Sequence, residues 1–351
     1  MVIVPPAIDW NWMKQRPQQL MQRLAAEGWT VFYCDRTRSE EGPVVQELGP
    51  RLWRVRHHER WLGGLWPSVR RERPDEAVFV WCWLPFFPAG LRKLYAADFL
   101  VYDCVDDGRE WHAQERELAQ AADLIFCASE PLLGRLARSY PGKPVELVRN
   151  GYDPQMGLHA AAAQEAGARP EAAGGKPLVG FVGAWAPWID AALVREVAAL
   201  PGAETVVIGP EFGRKYPAAE RIRFLGLLPH DELAGWIRRF SVCLIPFRPT
   251  PIALAANPIK AYEYLAAGKP VVATDLPECR EMRPYVDVAA NRRAFVGAVA
   301  RRLEQPGDAA ARRQFALDNT WERRAAAVAA RLRALESARA QPASARHGEI
   351  S

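Results

Sequence analysis

The sequence predicts an α/β protein with two Rossmann-like domains, each built on a doubly wound parallel sheet. Short apolar runs alternate with helical segments along most of the chain, which is the pattern of βαβ units. A chain of 351 residues is also long enough for two hydrophobic cores. Residues 159–176, rich in Ala, Gly and Glu, interrupt the alternation. We interpret them as a linker between domains of residues 1–158 and 177–320.

The first half contains two clear helix signals. Pro17–Glu27 has a first-turn proline and is followed by Gly28 as a stop, and a second helix is predicted at Glu110–Ala121. Another helix should follow Ser129, which is a typical N-cap residue. The predicted strands are short apolar runs: Val2–Val4, Thr30–Cys34, Leu52–Val55, Ala77–Trp81, Leu100–Tyr102, Leu124–Ala128 and Glu146–Val148.

The second half repeats the alternation. Its predicted strands are Leu178–Val182, Thr205–Ile208, Ile222–Leu225, Cys243–Pro246, Val271–Thr274 and Val286–Ala289. Its predicted helices are Ile189–Ala199, His230–Phe240, Pro258–Ala267, Arg292–Glu304 and Ala309–Asn319. A long final helix covers residues 321–336, and the small, polar residues 337–351 are predicted to be disordered.

Composition limits the classes of function. A net charge of +5, spread along the chain, does not indicate nucleic-acid binding but is compatible with phosphate ligands or an anionic membrane surface. No apolar run is long enough to predict a transmembrane helix, and Met1–Pro6 is predicted to be a core strand rather than a signal peptide. The six cysteines form no Cys-x-x-Cys pair and lie mostly in apolar runs, so we expect buried free thiols in a reducing cytoplasm. Attachment to the inner face of the plasma membrane stays open.

The segment from Asn257 to Thr274 is the most informative part of the chain. It combines a short amphipathic helix, a glycine stop at Gly268 and a buried strand. Lys260 and Glu263 lie on one face of that helix. A lysine suits a phosphate, and a carboxylate can accept hydrogen bonds from two neighbouring sugar hydroxyls. The pattern therefore predicts a nucleotide-sugar site.

This segment resembles the GT-B glycosyltransferases of the retaining Glu-x7-Glu type (group 1). Its Asn-Pro-x-Lys-x-x-Glu-Tyr form is most similar to bacterial teichuronic-acid and exopolysaccharide biosynthesis glycosyltransferases. The resemblance implies that Glu263 holds the donor ribose and that the final helix crosses back to the first domain. The first signature glutamate, which contacts the transferred sugar in the family, is replaced here by Ala255. We hypothesise that Asn257 or main-chain amides of residues 253–257 take over its role.

Other motifs carry the same resemblance. It places Gly183 at the donor diphosphate, Gly226 and Leu227 at the nucleobase, and Phe247 at the end of the strand before the donor loop. The basic residues that many relatives have after the glycine are replaced by apolar residues 184–188. Lys260 is therefore the main candidate for offsetting the charge of the diphosphate, with Arg214 or Lys215 as candidate helpers. The implied donor is a UDP- or GDP-linked sugar, with no metal and no further cofactor.

The first domain is expected to bind the acceptor. The loop after the first strand contains Trp10 and Trp12, whose rings could stack on sugars or pack beneath the neighbouring domain. In the same loop, Arg16 or Lys14 could bind a phosphate. Asp106 follows a core strand and is the candidate catalytic base; capping of the next helix by Asp106 or Asp107 is the alternative.

Residues 60–71 join aromatic residues to arginines. Two interpretations stay open for this segment: a patch for anionic lipid, and a helix whose tryptophans belong to the core.

Together these observations predict a glycosyltransferase that moves a sugar from a nucleoside diphosphate sugar to a hydroxyl of a glycan or lipid-linked acceptor in surface polysaccharide biosynthesis. The missing first glutamate keeps open a catalytically silent partner subunit, and the fold is shared with nucleotide-sugar 2-epimerases. A dehydrogenase is disfavoured because no Gly-x-Gly-x-x-Gly follows a strand.

Overall fold

A computed structural model describes residues 1–39, 41–86, 90–160, 175–217 and 221–340 of the chain. Within these ranges the chain forms two mainly parallel β-sheets, each covered by helices. The predicted α/β class with two doubly wound domains is therefore confirmed. Most of the predicted linker (residues 161–174) and most of the predicted disordered tail (residues 341–351) lie outside the described residues.

The first domain contains a sheet with the strand order β3-β4-β2-β1-β5-β6-β7-β8. Every pairing in it is parallel except that of β3 with β4. Its strands are β1 (Val2–Val4), β2 (Val31–Cys34), β3 (Val45–Gly49), β4 (Leu52–Val55), β5 (Phe79–Cys82), β6 (Phe99–Cys104), β7 (Leu124–Cys127) and β8 (Val145–Leu147). Its helices are α1 (Arg16–Ala26), α2 (His58–Arg60), α3 (Trp66–Glu72), α4 (Leu91–Leu94), α5 (His112–Ala121) and α6 (Glu130–Ser139).

The second domain contains a fully parallel sheet with the order β11-β10-β9-β12-β13-β14. Its strands are β9 (Leu178–Val182), β10 (Glu204–Ile208), β11 (Ile222–Phe224), β12 (Phe240–Ile245), β13 (Val271–Thr274) and β14 (Val286–Ala289). Its helices are α7 (Ala191–Ala198), α8 (His230–Arg239), α9 (Pro251–Ala255), α10 (Ile259–Ala266), α11 (Pro277–Arg280), α12 (Arg292–Glu304), α13 (Ala309–Asp318) and α14 (Trp321–Ala340).

Each sheet has a point where the strand order reverses. The first strand of each domain has a neighbour on both sides, so the reversal lies between β1 and β5 in one sheet and between β9 and β12 in the other. The loops that leave the carboxyl ends of these strands diverge and open a crevice. This rule selects the loops after β1, β9 and β12 as ligand-binding positions.

Several features differ from the sequence predictions. The edge strand β3 was not predicted, because none of its residues is buried and they lack an apolar run. Helix α9 was not predicted either; Thr250 caps it by accepting a hydrogen bond from the amide of Ala253. Helix α14 continues to Ala340, so residues 337–340 are helical and their assignment to a disordered tail was wrong.

Helix α14 belongs to the second half of the sequence but packs on the first domain. Trp321, Val328 and Leu332 join the core cluster that contains β1 and α1. Arg23 of α1 also forms an ion pair with Glu322 at 3.3 Å. The buried face of α14 therefore helps to hold the two domains together.

We expect Trp321→Ala to lower the free energy of unfolding by about 3–5 kcal/mol, since the ring is fully buried and its removal leaves a cavity. Trp12→Ala removes a tryptophan that is 48% exposed and should change stability by about 0.5 kcal/mol or less. Urea denaturation followed by circular dichroism measures both variants. Equal losses of unfolding free energy in the two variants would contradict the role assigned to α14.

Candidate functional site

Lys260 and Glu263 lie together on α10. The Lys260 ammonium donates a 2.7 Å hydrogen bond to Oε2 of Glu263, whose side chain is buried. The helix is fixed to the end of β9 because the Tyr264 hydroxyl accepts a hydrogen bond from the amide of Val182 at 2.8 Å. The pair thus stands at the carboxyl end of β9, where the crevice rule places a ligand.

A cleft of about 430 Å³ lies between the two domains close to this pair. The buried Nε2 atom of His230 has no hydrogen-bond partner among the described residues. Burial and the positive charge of Lys260 lower the pKa of His230, which leaves its imidazole neutral at neutral pH. The lining side chains come from both halves of the chain: Lys14, Asp153, Gln155, Met156, His230, Asp231 and Ala234.

Lys14 and Asp153 form the polar wall of the cleft. Lys14 donates to Asp153 at 2.9 Å, and Arg23 binds the other carboxylate oxygen. Burial opposes ionisation of Asp153, but these two cations outweigh it and lower its pKa. Asp153 is therefore a fixed anion, while half-buried Lys14 keeps ammonium donors near the cleft.

The loops predicted to frame the donor contact one another. The amide of Gly183 donates to the carbonyl of Ile208, and the amide of Gly209 donates to the carbonyl of Gly226, both at 2.8 Å. A Cβ atom on Gly209 would lie 1.9 Å from the carbonyl oxygen of Gly183, so only glycine permits this approach. Leu227, beside Gly226, is half exposed at the rim.

Phe247 and Asn257 have different surroundings. Phe247 forms an antiparallel bridge with Ile189 and is partly buried. The side chain of Asn257 is buried, donates to Glu278 at 2.6 Å and accepts from the amide of Asn150 at 3.0 Å. Its polar atoms thus contact protein, and the sugar-binding role hypothesised for it stays a prediction. Ala255 is also buried, and its carbonyl accepts from the Ser129 hydroxyl at 2.5 Å.

The predicted acceptor residues do not share one environment. Trp12 is exposed, whereas Trp10 is half-buried and packs edge-on against Tyr33, with 5.1 Å between the ring centroids. Arg16 is 3% exposed and binds Asp103 through contacts of 2.8–3.1 Å. Its NH1 group also donates to the carbonyl of Val148 at 2.6 Å. The assignment of Arg16 to an acceptor phosphate is therefore corrected: its guanidinium is occupied inside the protein.

Three carboxylates lie near the end of β6 or in the loop after it: Asp103, Asp106 and Asp107. Their environments differ. Asp103 is fully buried in its pair with Arg16. Asp107 pairs with His112 at 2.9 Å and with Arg135 at 3.3 Å. Helix α5 has no side-chain cap, so neither Asp106 nor Asp107 caps it.

Asp106 has a different environment. It is half-buried and has no ion-pair or side-chain hydrogen-bond partner among the described residues. Burial raises its pKa to about 6.

The segment of residues 60–71 contributes its two tryptophans to the core. Trp61 and Trp66 are buried and contact each other at 5.2 Å between ring centroids, and the indole of Trp66 donates to the carbonyl of Tyr95 at 3.2 Å. Their assignment to a lipid-binding patch is corrected in favour of the core alternative. Leu65 stays exposed. No helix in the described ranges is both long and apolar enough to cross a bilayer.

All six cysteines are free and buried, as predicted. Within the described ranges, no cluster of three or more His, Cys, Asp or Glu side chains has the arrangement of a metal site.

Comparison with protein families identifies the second domain. Residues 176–305 match the family described as glycosyl transferases group 1. This part of the chain is a glycosyl transferases group 1 domain. The matched residues include β9 to β14, Lys260 and Glu263.

A curated relative extends the similarity. A Bacillus subtilis (strain 168) protein, TuaH, whose name assigns it to teichuronic acid biosynthesis as a glycosyltransferase, is 29% identical over 238 residues. The alignment covers 60% of this chain and 59% of the relative, so the chain matches a little over half of that protein's length.

Solved structures confirm the GT-B fold. Sucrose-phosphate synthase from Thermosynechococcus elongatus superimposes with a TM-score of 0.72 at 18% identity, covering 96% of this chain and 99% of that one. A trehalose-phosphate synthase from Burkholderia vietnamiensis gives 0.68 at 15% identity, with 96% and 99% covered. Anabaena HepE, solved with UDP, gives 0.64 at 14% identity, with 95% and 99% covered.

His230 and Asp153 were not predicted as site residues from the sequence, and Lys14 was predicted only as an alternative to Arg16 for binding a phosphate. His230 follows the Phe-Leu-Gly loop and begins α8, so its position after a strand end was a usable signal. Lys14 and Asp153 are 139 positions apart, and their contact cannot be read from spacing.

The raised pKa of Asp106 predicts a specific pH dependence. An unfolded aspartate titrates near 3.8 and folded Asp106 near 6, so between these values the folded state binds more protons. Its contribution to the free energy of unfolding therefore falls as pH rises from about 4 to about 6. We expect Asp106→Asn to remove this fall, as measured by urea denaturation across that range. A wild-type-minus-variant difference that rises with pH would contradict the assignment.

Proposed function

We propose that this protein is a glycosyltransferase that moves a sugar from a UDP- or GDP-linked donor to a hydroxyl of a glycan or lipid-linked acceptor in surface polysaccharide biosynthesis. The observation that carries the proposal is the Lys260–Glu263 pair, held at the carboxyl edge of a group 1 domain beside the interdomain cleft. The name of the Bacillus subtilis relative supports the polymer class.

In this proposal, α10 binds the donor nucleotide. Glu263 accepts hydrogen bonds from the ribose hydroxyls, using lone pairs that the Lys260 contact leaves free. The Lys260 ammonium then turns toward the diphosphate and offsets the charge that develops on the leaving group. The loops of Gly183 and Gly226 and the exposed Leu227 frame the phosphates and the nucleobase.

The first domain supplies the acceptor side. Trp12 is exposed and can stack on a sugar ring, with Trp10 supporting the same loop. Asp106 is mostly ionised at neutral pH because its pKa is about 6, so it can accept the proton of an acceptor hydroxyl. A lipid-linked acceptor would place the enzyme at the cytoplasmic face of the membrane as a peripheral protein.

One observation favours a second candidate, a catalytically silent GT-B subunit. The position of the first signature glutamate is Ala255, which is buried against the first domain, and its carbonyl is held by Ser129. A chain without that carboxylate could bind a nucleotide without transferring its sugar. Binding without turnover would select this candidate.

The deciding experiment is isothermal titration calorimetry with UDP and GDP, with and without EDTA. We expect one nucleotide to bind in the presence of EDTA and Glu263→Gln to weaken it about 10- to 100-fold, because two hydrogen bonds to a charged group are worth about 1.5–3 kcal/mol. UDP is tested first because HepE was solved with it.

Glu204→Gln is the matched control. Glu204 also forms an ion pair, with Arg223 at 3.4 Å, but it begins β10 at the opposite edge of the sheet. The nucleotide affinity of the Glu204→Gln variant should equal that of the wild type. Absence of binding to both nucleotides would refute the transferase and the silent subunit together.

A further inference from the structure

Two aromatic side chains and two arginines form a surface cluster in the second domain, which we call the aromatic platform: Trp188, Phe212, Arg214 and Arg248. The rings of Trp188 and Phe212 lie 5.9 Å apart between centroids, with 54° between their planes. Phe212 is 56% exposed and Trp188 is half-buried. Large exposed aromatics held side by side are unusual on a protein surface without a ligand or partner.

The platform is rigidly built. The amide of Arg248 donates to the carbonyl of Trp188 at 2.7 Å, and the amide of Phe212 donates to the carbonyl of Trp185 at 3.0 Å. The NH1 group of Arg214 donates to the carbonyl of Ile189 at 3.1 Å. Main-chain bonds thus join the loops after β9, β10 and β12, which fixes the spacing of the rings.

Its position separates it from the nucleotide cleft. Trp188 packs on the core cluster that contains α7 and α12, whereas Lys260, Glu263 and His230 belong to α10 and α8, which pack on the other face of the sheet. Both regions lie at the carboxyl edge near the β9–β12 reversal. None of the four platform residues is among those assigned to the donor, although the platform shares the loops after β9 and β12 with Gly183 and Phe247.

The charge of the platform is positive and uncompensated. The guanidinium of Arg248 is exposed and has no ion-pair or hydrogen-bond partner among the described residues. The neighbouring carboxylates are already paired, Glu211 with Lys215 at 2.6 Å and Asp190 with Arg292 at 3.1 Å. An anion on the ligand would complete the site, since a guanidinium binds carboxylate and phosphate groups through two parallel hydrogen bonds.

We propose that the aromatic platform binds an anionic sugar of the acceptor glycan. The sugar ring stacks on Trp188 and Phe212 through its C–H groups, which are attracted to the electron-rich ring faces. Its carboxylate or phosphate group pairs with Arg248, with Arg214 beside it. The proposal rests on the proposed function and extends it, because it makes the acceptor an acidic glycan.

Saturation-transfer NMR on the full chain with saturating UDP tests the proposal. The probes are methyl glucuronide, glucose 1-phosphate and the neutral methyl glucoside. We expect at least one anionic probe to bind. Arg248→Gln removes a charged hydrogen bond and Trp188→Ala removes a stacked ring, and each should weaken binding about tenfold. Preference for glucuronide identifies a carboxylate as the anion, and preference for glucose 1-phosphate identifies a phosphate.

Trp236→Ala is the control variant. Trp236 also lies among arginines, with Arg239 4.6 Å and Arg223 5.4 Å from its ring centroid, but it is on α8, away from the platform. It should leave probe binding unchanged. Equal binding of the three probes, binding of none of them, or anionic binding that survives both platform substitutions would overturn the proposal.

Calorimetry with UDP on the same variants separates the two proposals. Retained UDP affinity without anionic-sugar binding overturns the platform and leaves the transferase standing. Anionic-sugar binding without UDP affinity supports the platform and overturns the nucleotide site.

Discussion

A line of buried polar side chains from Arg16 to Glu278 governs how the two domains face each other. Burying a charge costs several kcal/mol unless it is paired and its remaining donors and acceptors are satisfied. Arg16 meets that condition by binding Asp103 and the side-chain oxygen of Asn150. Asn150 in turn bonds Asn257 through two contacts of 2.6 and 3.0 Å, and Asn257 donates to Glu278. Since the members depend on one another, a shift of either domain would leave several polar groups unpaired.

This network also determines what the donor loop can do. Asn257 is bound to the first domain, and Ala255 beside it is held by the Ser129 hydroxyl, so the loop before α10 cannot move freely. Helix α10 starts directly after this fixed point, which places Lys260 and Glu263 at the cleft. With alanine where the family has a carboxylate, residue 255 has no carboxylate to offer to the transferred sugar.

The sequence was sufficient for the fold and for placing Lys260 and Glu263 on one face of a helix, and insufficient for contacts between residues far apart in the chain. Buried parallel strands are continuous apolar runs, and the helix stop at Gly268 is local, with a positive φ of 71°, so both are visible in a single sequence. Arg16 was misassigned because its partner Asp103 is 87 positions away, and nothing near it in sequence reveals that its charge is neutralised internally. The aromatic platform could not be predicted from the sequence for the same reason. Trp188 and Phe212 lie in different loops, which a main-chain hydrogen bond brings together.

Two carboxylates near the end of β6 differ in whether a cation is paired with them. Asp103 and Asp106 are three positions apart and both lie near the carboxyl edge, yet only Asp103 has a cation. A paired carboxylate is already stabilised as an anion by its partner, and proton transfer to it would break that pair. Asp106 is unpaired and half-buried, and burial alone raises its pKa from 3.8 to about 6. The same geometry that commits Asp103 to the fold leaves Asp106 without a cation, and this difference is why we propose Asp106, and not Asp103, as the acceptor of a substrate proton.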